Sequence, residues 1–423
     1  MLSYDFFLDL AIILLATKLF GVLAKKLHLP QVVGALIAGL ILGPALLNLV
    51  HESEYIDKMA ELGVIVIMFT AGMETDIKQL KSTGKASFVI ALFGVLLPLV
   101  GGFVAAALYY GNLGSFDQNE LLKNIFIGII LTATSVSITV EALREMGKLK
   151  GKAGMAILGA AIIDDIIGIV VLTILISFRD TSVHISIVLL KILLFFVATV
   201  VVGFAANWMF KKLCQRYDKR RRRMPIYSFV FCLLLSFGAE KFFGVADITG
   251  AYMAGIIITN ISFCDTTLSE YVTEKVEVTS YMLLSPIFFA SIGLKATVHH
   301  VDMQMILFSC ALLAVAILTK MGGCGLGAKM CGFNGKDSMR IGTGMVARGE
   351  VALIVADRGV SAGLLEAHLL TPIIIVVIAT SLFTPILLKL MYRGEINYKH
   401  AEDEFAELEA KICEFEVNNP EDL

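Results

Sequence analysis

Two adjacent aspartates interrupt a long apolar stretch near the middle of the chain. They are Asp164 and Asp165 in ILGAAIIDDIIGIVVL, residues 157–172. Charged side chains at bilayer depth are costly and usually face a cavity or a partner. Because successive helical residues point about 100° apart, the two carboxylates cannot share one environment. We therefore expect one carboxylate to meet a cationic side chain, while the other faces a water-filled cavity where ions and protons can reach it.

One lysine is placed to be that cationic partner. Lys320 lies deep within the apolar segment 302–329, in AVAILTKMGGCGLG, and the glycines that follow it allow close helix approach. A lysine at this depth needs an anion, and the aspartate pair is the obvious candidate. Lys18 and Lys191 can snorkel to an interface, so we interpret them as structural.

A run of hydroxyl side chains predicts a broken membrane helix. LTATSVSIT, residues 131–139, contains Thr134 and Ser135 among five serines and threonines. Such hydroxyls can bond backbone carbonyls freed by a break, or they can face a cation. The alternative is ordinary bonding to the carbonyl four residues earlier, since no glycine or proline interrupts this segment.

A second break is predicted in GTGMVARGEVALI, residues 342–354, which combines three glycines with Arg348 and Glu350. Two residues two positions apart face opposite sides of a regular helix. Either the helix is broken here or each side chain has a different partner. We interpret Arg348 and Glu350 as a structural ion pair that holds a helix crossing.

The elements that must position these residues are membrane helices. The chain has 423 residues, of which 57% are hydrophobic and 17% charged, and its mean hydropathy is +0.82. Soluble domains are less apolar and more charged. The net charge of −2 argues neither for nor against a nucleic-acid partner, and the spacing of the seven scattered cysteines resembles neither a disulfide framework nor a zinc site. We expect no nucleic-acid partner and no cofactor.

About 20 apolar residues span a bilayer as a helix. Thirteen segments meet this description, at 5–25, 30–50, 59–77, 86–110, 122–142, 151–178, 184–211, 225–243, 246–263, 274–294, 302–329, 338–358 and 365–391. With an external N-terminus, the inner loops collect most of the lysines and arginines, including KKLCQRYDKRRRR at 211–223. The positive-inside rule therefore predicts an external N-terminus and a cytoplasmic C-terminus, in the cell membrane.

Two pairs of segments echo each other in the same order. GALIAGLI at 34–41 matches GAYMAGII at 250–257, and FTAGMETD at 69–76 matches ASIGLKAT at 290–297. The matched spans stand seven apart, an odd number, so the two copies must cross the membrane in opposite directions. Inverted repeats are typical of secondary transporters, whose ion site lies between the repeats.

These motifs together resemble the monovalent cation:proton antiporter family, and most closely its bacterial NapA-like sodium/proton branch. The resemblance is carried by LPQVVGALIAGLILGP, FTAGMETDIKQL, ATSVSITVEALREMG, GAAIIDDIIG, the TKMGG lysine and MVARGEVALIVA. It implies an all-α polytopic membrane protein with about thirteen transmembrane helices, inverted-topology repeats and two crossed, broken helices. It also implies a homodimer in which a core domain moves against a dimerisation domain in an elevator-like manner.

The resemblance further implies the role of each site residue. Asp165 is the principal ion-binding carboxylate, Asp164 forms a pH-sensitive pair with Lys320, and Thr134 and Ser135 lie on the unwound part of the first broken helix. The expected activity is exchange of Na+, or Li+, for H+, with ion and protons competing for the aspartate pair. Transport is expected to be electrogenic.

Several alternatives stay open. A K+/H+ antiporter or potassium-efflux protein has the same fold, but efflux proteins carry Gln-Asp where this chain has Asp164-Asp165. A sodium-coupled symporter or a gated cation channel is a less favoured interpretation. An intramembrane aspartyl protease is disfavoured because its carboxylates must converge on one water from separate helices. We divide the chain into a transmembrane antiporter domain, 1–393, and a short acidic cytoplasmic tail, 394–423.

Overall fold

All regular structure in the described part of the chain is helical. The computed structural model describes residues 5–27, 29–112, 117–178, 185–216, 223–260, 266–296, 302–361 and 363–393. The predicted acidic tail, 394–423, and the centre of the basic block lie outside these residues. The described helices are α1 (Asp5–Lys26), α2 (Gln31–Leu42), α3 (Glu54–Met73), α4 (Ile77–Tyr109), α5 (Gln118–Thr132), α6 (Val136–Glu145), α7 (Lys152–Ser177), α8 (Ile185–Arg216), α9 (Met224–Gly238), α10 (Asp247–Asn260), α11 (Thr266–Thr279), α12 (Ser285–Leu294), α13 (Met303–Met330), α14 (Gly335–Gly344), α15 (Glu350–Ser361) and α16 (Leu370–Met391).

The protein is a multi-pass membrane protein. Within the described residues, nine helical segments are long and apolar enough to cross a bilayer. Two more apolar helices are shorter than these segments: α2 has 12 residues and α10 has 14. The first turn of α3 carries two acidic residues, Glu54 and Asp57. The predicted span 338–358 is divided between two helices, α14 and α15. The membrane class is confirmed, and the count of thirteen spans stays a prediction.

The described chain forms two compact units. Among the described residues, the first is drawn from 5–61, 77–189 and 286–391, and the second from 62–76, 190–285 and 392–393. In the first unit, α4 packs along α13, α7 and α5. The approach of α13 to α4 is close because glycines face it: a Cβ on Gly323 would lie 2.6 Å from the Phe93 carbonyl oxygen. This packing fixes the face of α13 that carries Lys320.

The echoed glycine motifs make the same kind of contact in each unit. In the first unit, Gly39 of α2 packs on α12 so closely that a Cβ would overlap the Ala290 carbonyl oxygen. In the second unit, Gly255 of α10 packs on α3, where a Cβ would overlap the Phe69 carbonyl oxygen. Small residues let membrane helices approach to backbone contact. The first motif of each copy thus packs against the second motif of the other copy, while the inverted repeat itself stays a prediction.

A half-buried carboxylate holds the beginning of α2. Glu145, the last residue of α6, accepts hydrogen bonds from the backbone N–H groups of Gln31, at 2.5 Å, and Val32, at 3.1 Å. The first N–H groups of a helix have no partner within it, and the helix dipole favours an anion there. Because Pro30 precedes the helix and has no side-chain cap bond, Glu145 performs the capping from another helix. It therefore ties α6 to α2.

Candidate functional site

The helix that carries the hydroxyl run is interrupted. Helix α5 ends at Thr132 and α6 begins at Val136, with Ala133 and Ser135 extended at the two ends. The last carbonyls of α5 therefore lack donors from their own helix. Ser135 donates its backbone N–H to the carbonyl oxygen of Ala347, at 2.8 Å. Its hydroxyl lies 3.2 Å from the Ser137 hydroxyl.

A second interruption separates α14, which ends at Gly344, from α15, which begins at Glu350. The two interruptions meet directly. Besides the bond between Ser135 and Ala347, the Thr139 hydroxyl donates to the carbonyl oxygen of Gly344, at 2.7 Å. Gly349 faces Ser135 so closely that a Cβ would lie 2.6 Å from its hydroxyl oxygen. No side chain fits between the two segments at this point.

Arg348 binds both interruptions through backbone carbonyls. Its guanidinium is 0% exposed. It donates to Ala133 O at 3.2 Å, to Val346 O at 3.1 Å and also to Leu131 O. Cations are favoured at helix C-termini, where unpaired carbonyls collect negative potential. The predicted ion pair with Glu350 involves a side chain outside the described part of the structure. The described hydrogen bonds of the Arg348 side chain are all to carbonyls.

Asp164 and Lys320 form a fully buried ion pair. Lys320 Nζ lies 2.9 Å from Oδ1 and 3.1 Å from Oδ2 of Asp164. Lys320 is 0% exposed and Asp164 is 2% exposed. Thr134, in the first interruption, donates its hydroxyl to Asp164 Oδ2 at 2.6 Å. Asp164 thus accepts bonds from an ammonium and a hydroxyl, which compensate part of the cost of burying its charge.

Two backbone carbonyls complete the surroundings of Lys320. Its ammonium donates to Thr132 O at 2.7 Å and to Gly94 O at 2.8 Å. A lysine ammonium has three donors, and here they are used by two carbonyls and one carboxylate. Sequence reasoning missed Gly94 and Thr132 as ligands, because a backbone carbonyl carries no signature of residue type. Lys320 and Arg348 together occupy three consecutive carbonyls, 131 to 133, at the end of α5.

Asp165 lies beside this pair on α7 and is 8% exposed. Of the predicted site residues, the structure brings Asp164, Lys320 and Thr134 into direct contact. It places Ser135 and Arg348 at the adjoining helix interruptions. Two carboxylates and one ammonium lie close together in a buried place, with the guanidinium of Arg348 at the adjoining interruptions. Such a centre favours binding of a cation or a proton.

A multi-pass helical membrane protein with a charged centre at interrupted helices has the organisation of a secondary transporter. A family model described as sodium/hydrogen exchanger, transmembrane, matches residues 11–393. The chain belongs to the sodium/hydrogen exchanger family. The predicted resemblance is confirmed, and the protein is a transporter rather than an enzyme.

Relatives and a solved structure are similar over nearly the whole chain. GerN of Bacillus cereus, a Na+/H+-K+ antiporter, is 40% identical over 391 residues, covering 92% of this chain and 96% of GerN. A Na+/H+ antiporter of Enterococcus hirae is 36% identical over 386 residues, covering 90% and 96%. The sodium proton antiporter MjNhaP1 of Methanocaldococcus jannaschii is 18% identical, with a TM-score of 0.70 over 94% of this chain and 100% of that one. This last likeness shows the fold.

Proposed function

We propose that this chain exchanges Na+ for H+ across the membrane by alternating access. The observation that carries the proposal is the buried pair of Asp164 and Lys320, with Asp165 directly beside it. Two relatives, at 40% and 36% identity, are named as Na+/H+ antiporters. The family and the chemistry of the site point to the same activity.

The site residues supply a mechanism of competition. Sodium is bound by Asp165 and Asp164, with oxygens of Thr134 and Ser135 or of the freed backbone available as further ligands. Sodium and a proton cannot occupy the same carboxylate oxygens together. Occupation by either neutralises the carboxylate that takes it, and we expect the centre to cross between the two open states at low cost only when its carboxylates are neutralised. Competition combined with alternating access is sufficient for exchange.

Lys320 makes the exchange responsive to charge. When sodium binds Asp164, the ammonium loses its carboxylate partner, and when sodium leaves, the ion pair forms again. Two protons returned for each sodium would make transport electrogenic, as the resemblance implies. The resemblance also supports a homodimer and an elevator-like motion, and the distribution of lysine and arginine supports an external N-terminus.

Potassium is the second candidate cargo. GerN is named as a Na+/H+-K+ antiporter and is 40% identical to this chain. A site built from carboxylates and carbonyls binds either monovalent cation through the same oxygens. The exchange of K+ for H+ should therefore be measured in the same assay as the exchange of Na+ for H+.

The test is proton flux in proteoliposomes that contain the purified protein. The concentration of Na+, Li+ or K+ outside acid-loaded vesicles is raised suddenly. We expect protons to leave the vesicles only when the added cation is one that the protein transports. Asp165→Asn should abolish this flux, and currents on solid-supported membranes report whether net charge moves. Asp302→Asn is the matched control, because Asp302 caps α13 through Met305 N at an exposed position. Full sodium-driven flux in Asp165→Asn would show that the site is assigned wrongly.

A further inference from the structure

A proline lies inside the helix that supplies one of the ligands of Lys320. Helix α4 continues from Ile77 to Tyr109, with Pro98 within it. In an α-helix, each carbonyl accepts from the N–H four residues later. Proline has no N–H, so Pro98 leaves the carbonyl of Gly94 without its helical donor.

That carbonyl is bonded to the ammonium of Lys320, at 2.8 Å. The other carbonyl partner, Thr132 O, lacks a helical donor for a different reason, because α5 ends there. Both neutral ligands of Lys320 are thus carbonyls that their own helices leave unpaired. A buried carbonyl without a donor is costly, and the ammonium satisfies both.

The absence of a side chain at position 94 allows this contact. A Cβ on Gly94 would lie 2.6 Å from Cys324 Sγ and 3.6 Å from Lys320 Nζ. Cys324 is buried and stands four residues after Lys320 on α13, so the two side chains lie on one face of that helix. Gly94 therefore presents bare backbone to the face of α13 that carries Lys320.

We propose that Pro98 is a positioning residue for ion exchange, because its missing N–H leaves the Gly94 carbonyl free to hold Lys320 while sodium occupies Asp164. This inference rests on the proposed Na+/H+ exchange. In the ion-paired state Asp164 is a strong acceptor for the ammonium. In the sodium-bound state only the two carbonyls remain, so the Gly94 carbonyl matters more in that state.

Restoring the N–H should therefore weaken sodium binding. In Pro98→Ala, the new N–H of residue 98 competes for the Gly94 carbonyl. The ammonium can compensate by moving toward Asp164 only when sodium is absent. We expect the Na+ concentration for half-maximal exchange to rise about threefold to tenfold. A change of this size corresponds to a modest part of the free energy of one charge-assisted hydrogen bond. The maximal rate should change less.

An ester at the same position separates the N–H from the proline ring. Lactic acid, incorporated at residue 98 by nonsense suppression, is the ester analogue of alanine and has neither a ring nor an N–H. We expect the half-saturating Na+ concentration of this variant to stay close to that of the wild type. Pro385→Ala is the matched control, because Pro385 is likewise a buried proline inside a membrane helix, α16.

Each outcome decides the proposal. A rise in the alanine variant that is absent from the ester variant supports it, as does misfolding of the alanine variant alone. An equal effect in both, or misfolding of both, would mean that the ring matters rather than the missing N–H. No effect in either would also overturn the proposal. A wild-type protein without sodium-driven flux would instead overturn the proposed exchange.

Discussion

Replacing Arg348 by methionine removes the cation that joins the two helix interruptions. Methionine fills much of the same volume without a charge or donors. Three carbonyls, those of Leu131, Ala133 and Val346, then lose their donors. Because the guanidinium has no exposed surface, water cannot simply replace it.

The expected loss follows from two opposing terms. A buried carbonyl without a donor costs about 1–3 kcal/mol, so three cost roughly 3–9 kcal/mol. Removing the guanidinium also removes the desolvation cost of a buried cation, which amounts to several kcal/mol. We expect a net loss of about 3 kcal/mol in the free energy of unfolding. Arg348→Lys keeps the charge but has no planar fork, so it should lose about half as much.

Thermal unfolding of the purified protein in detergent measures this loss. For a chain of this length, about 1–2 °C of midpoint shift accompanies each kcal/mol. Arg348→Met should thus melt about 3–6 °C below the wild type, with Arg348→Lys between them. The exposed Arg393 provides the control, since Arg393→Met should move the midpoint by under about 1 °C. A wild-type midpoint in Arg348→Met, or a lower midpoint in Arg348→Lys than in Arg348→Met, would refute the reasoning.

Two further changes test the buried pair and a contact outside the membrane. Lys320→Gln should alter both the pH profile of sodium-driven flux and the charge moved per cycle, because Asp164 loses its cation; a variant unchanged in both would contradict the pairing. Lys295 lies 3.2 Å from Asp57 and 3.5 Å from Glu52. Its burial lowers the pKa, but attraction to these carboxylates outweighs burial and raises the pKa above the usual 10.5. A base whose pKa is raised by folding stabilises the protein below its unfolded pKa, and that contribution disappears as pH rises through the folded pKa. The wild type should therefore have a higher melting temperature than Lys295→Gln at neutral pH, and the difference should disappear above about pH 10.5. A difference that persists after Lys295 has lost its proton would contradict this prediction.

Some of the site is visible in residue types alone. A carboxylate and an ammonium stand out in apolar segments, because each needs a partner at that depth. Asp164, Asp165 and Lys320 therefore stand out as site residues from their chemistry and position in the chain. The glycine motifs are visible for a related reason, since close helix approach requires small residues. The family is recognised from these same motifs.

Other parts of the site have no such signal. Residue types predict Arg348 as one member of an ion pair with Glu350, which stays a prediction, but they give no sign of the carbonyls on both interruptions to which the structure bonds it. Residue letters do not reveal which carbonyls a fold leaves unpaired. Helix ends also depend on packing: α5 ends at Thr132 without a glycine or proline, and its last carbonyls accept hydrogen bonds from Lys320 of α13 and from Arg348 of the second interruption.

The sequence by itself determined that the chain is an apolar, multi-pass transporter of the sodium/hydrogen exchanger family, with charges placed where a membrane does not tolerate them unpaired. The tertiary structure decided how those charges are satisfied. It brought α4, α5, α7 and α13 together so that one ammonium meets Asp164 and two freed carbonyls. The physical reason is that burial makes each charge require partners, while the identity of those partners depends on which backbone groups the folded helices leave without bonds.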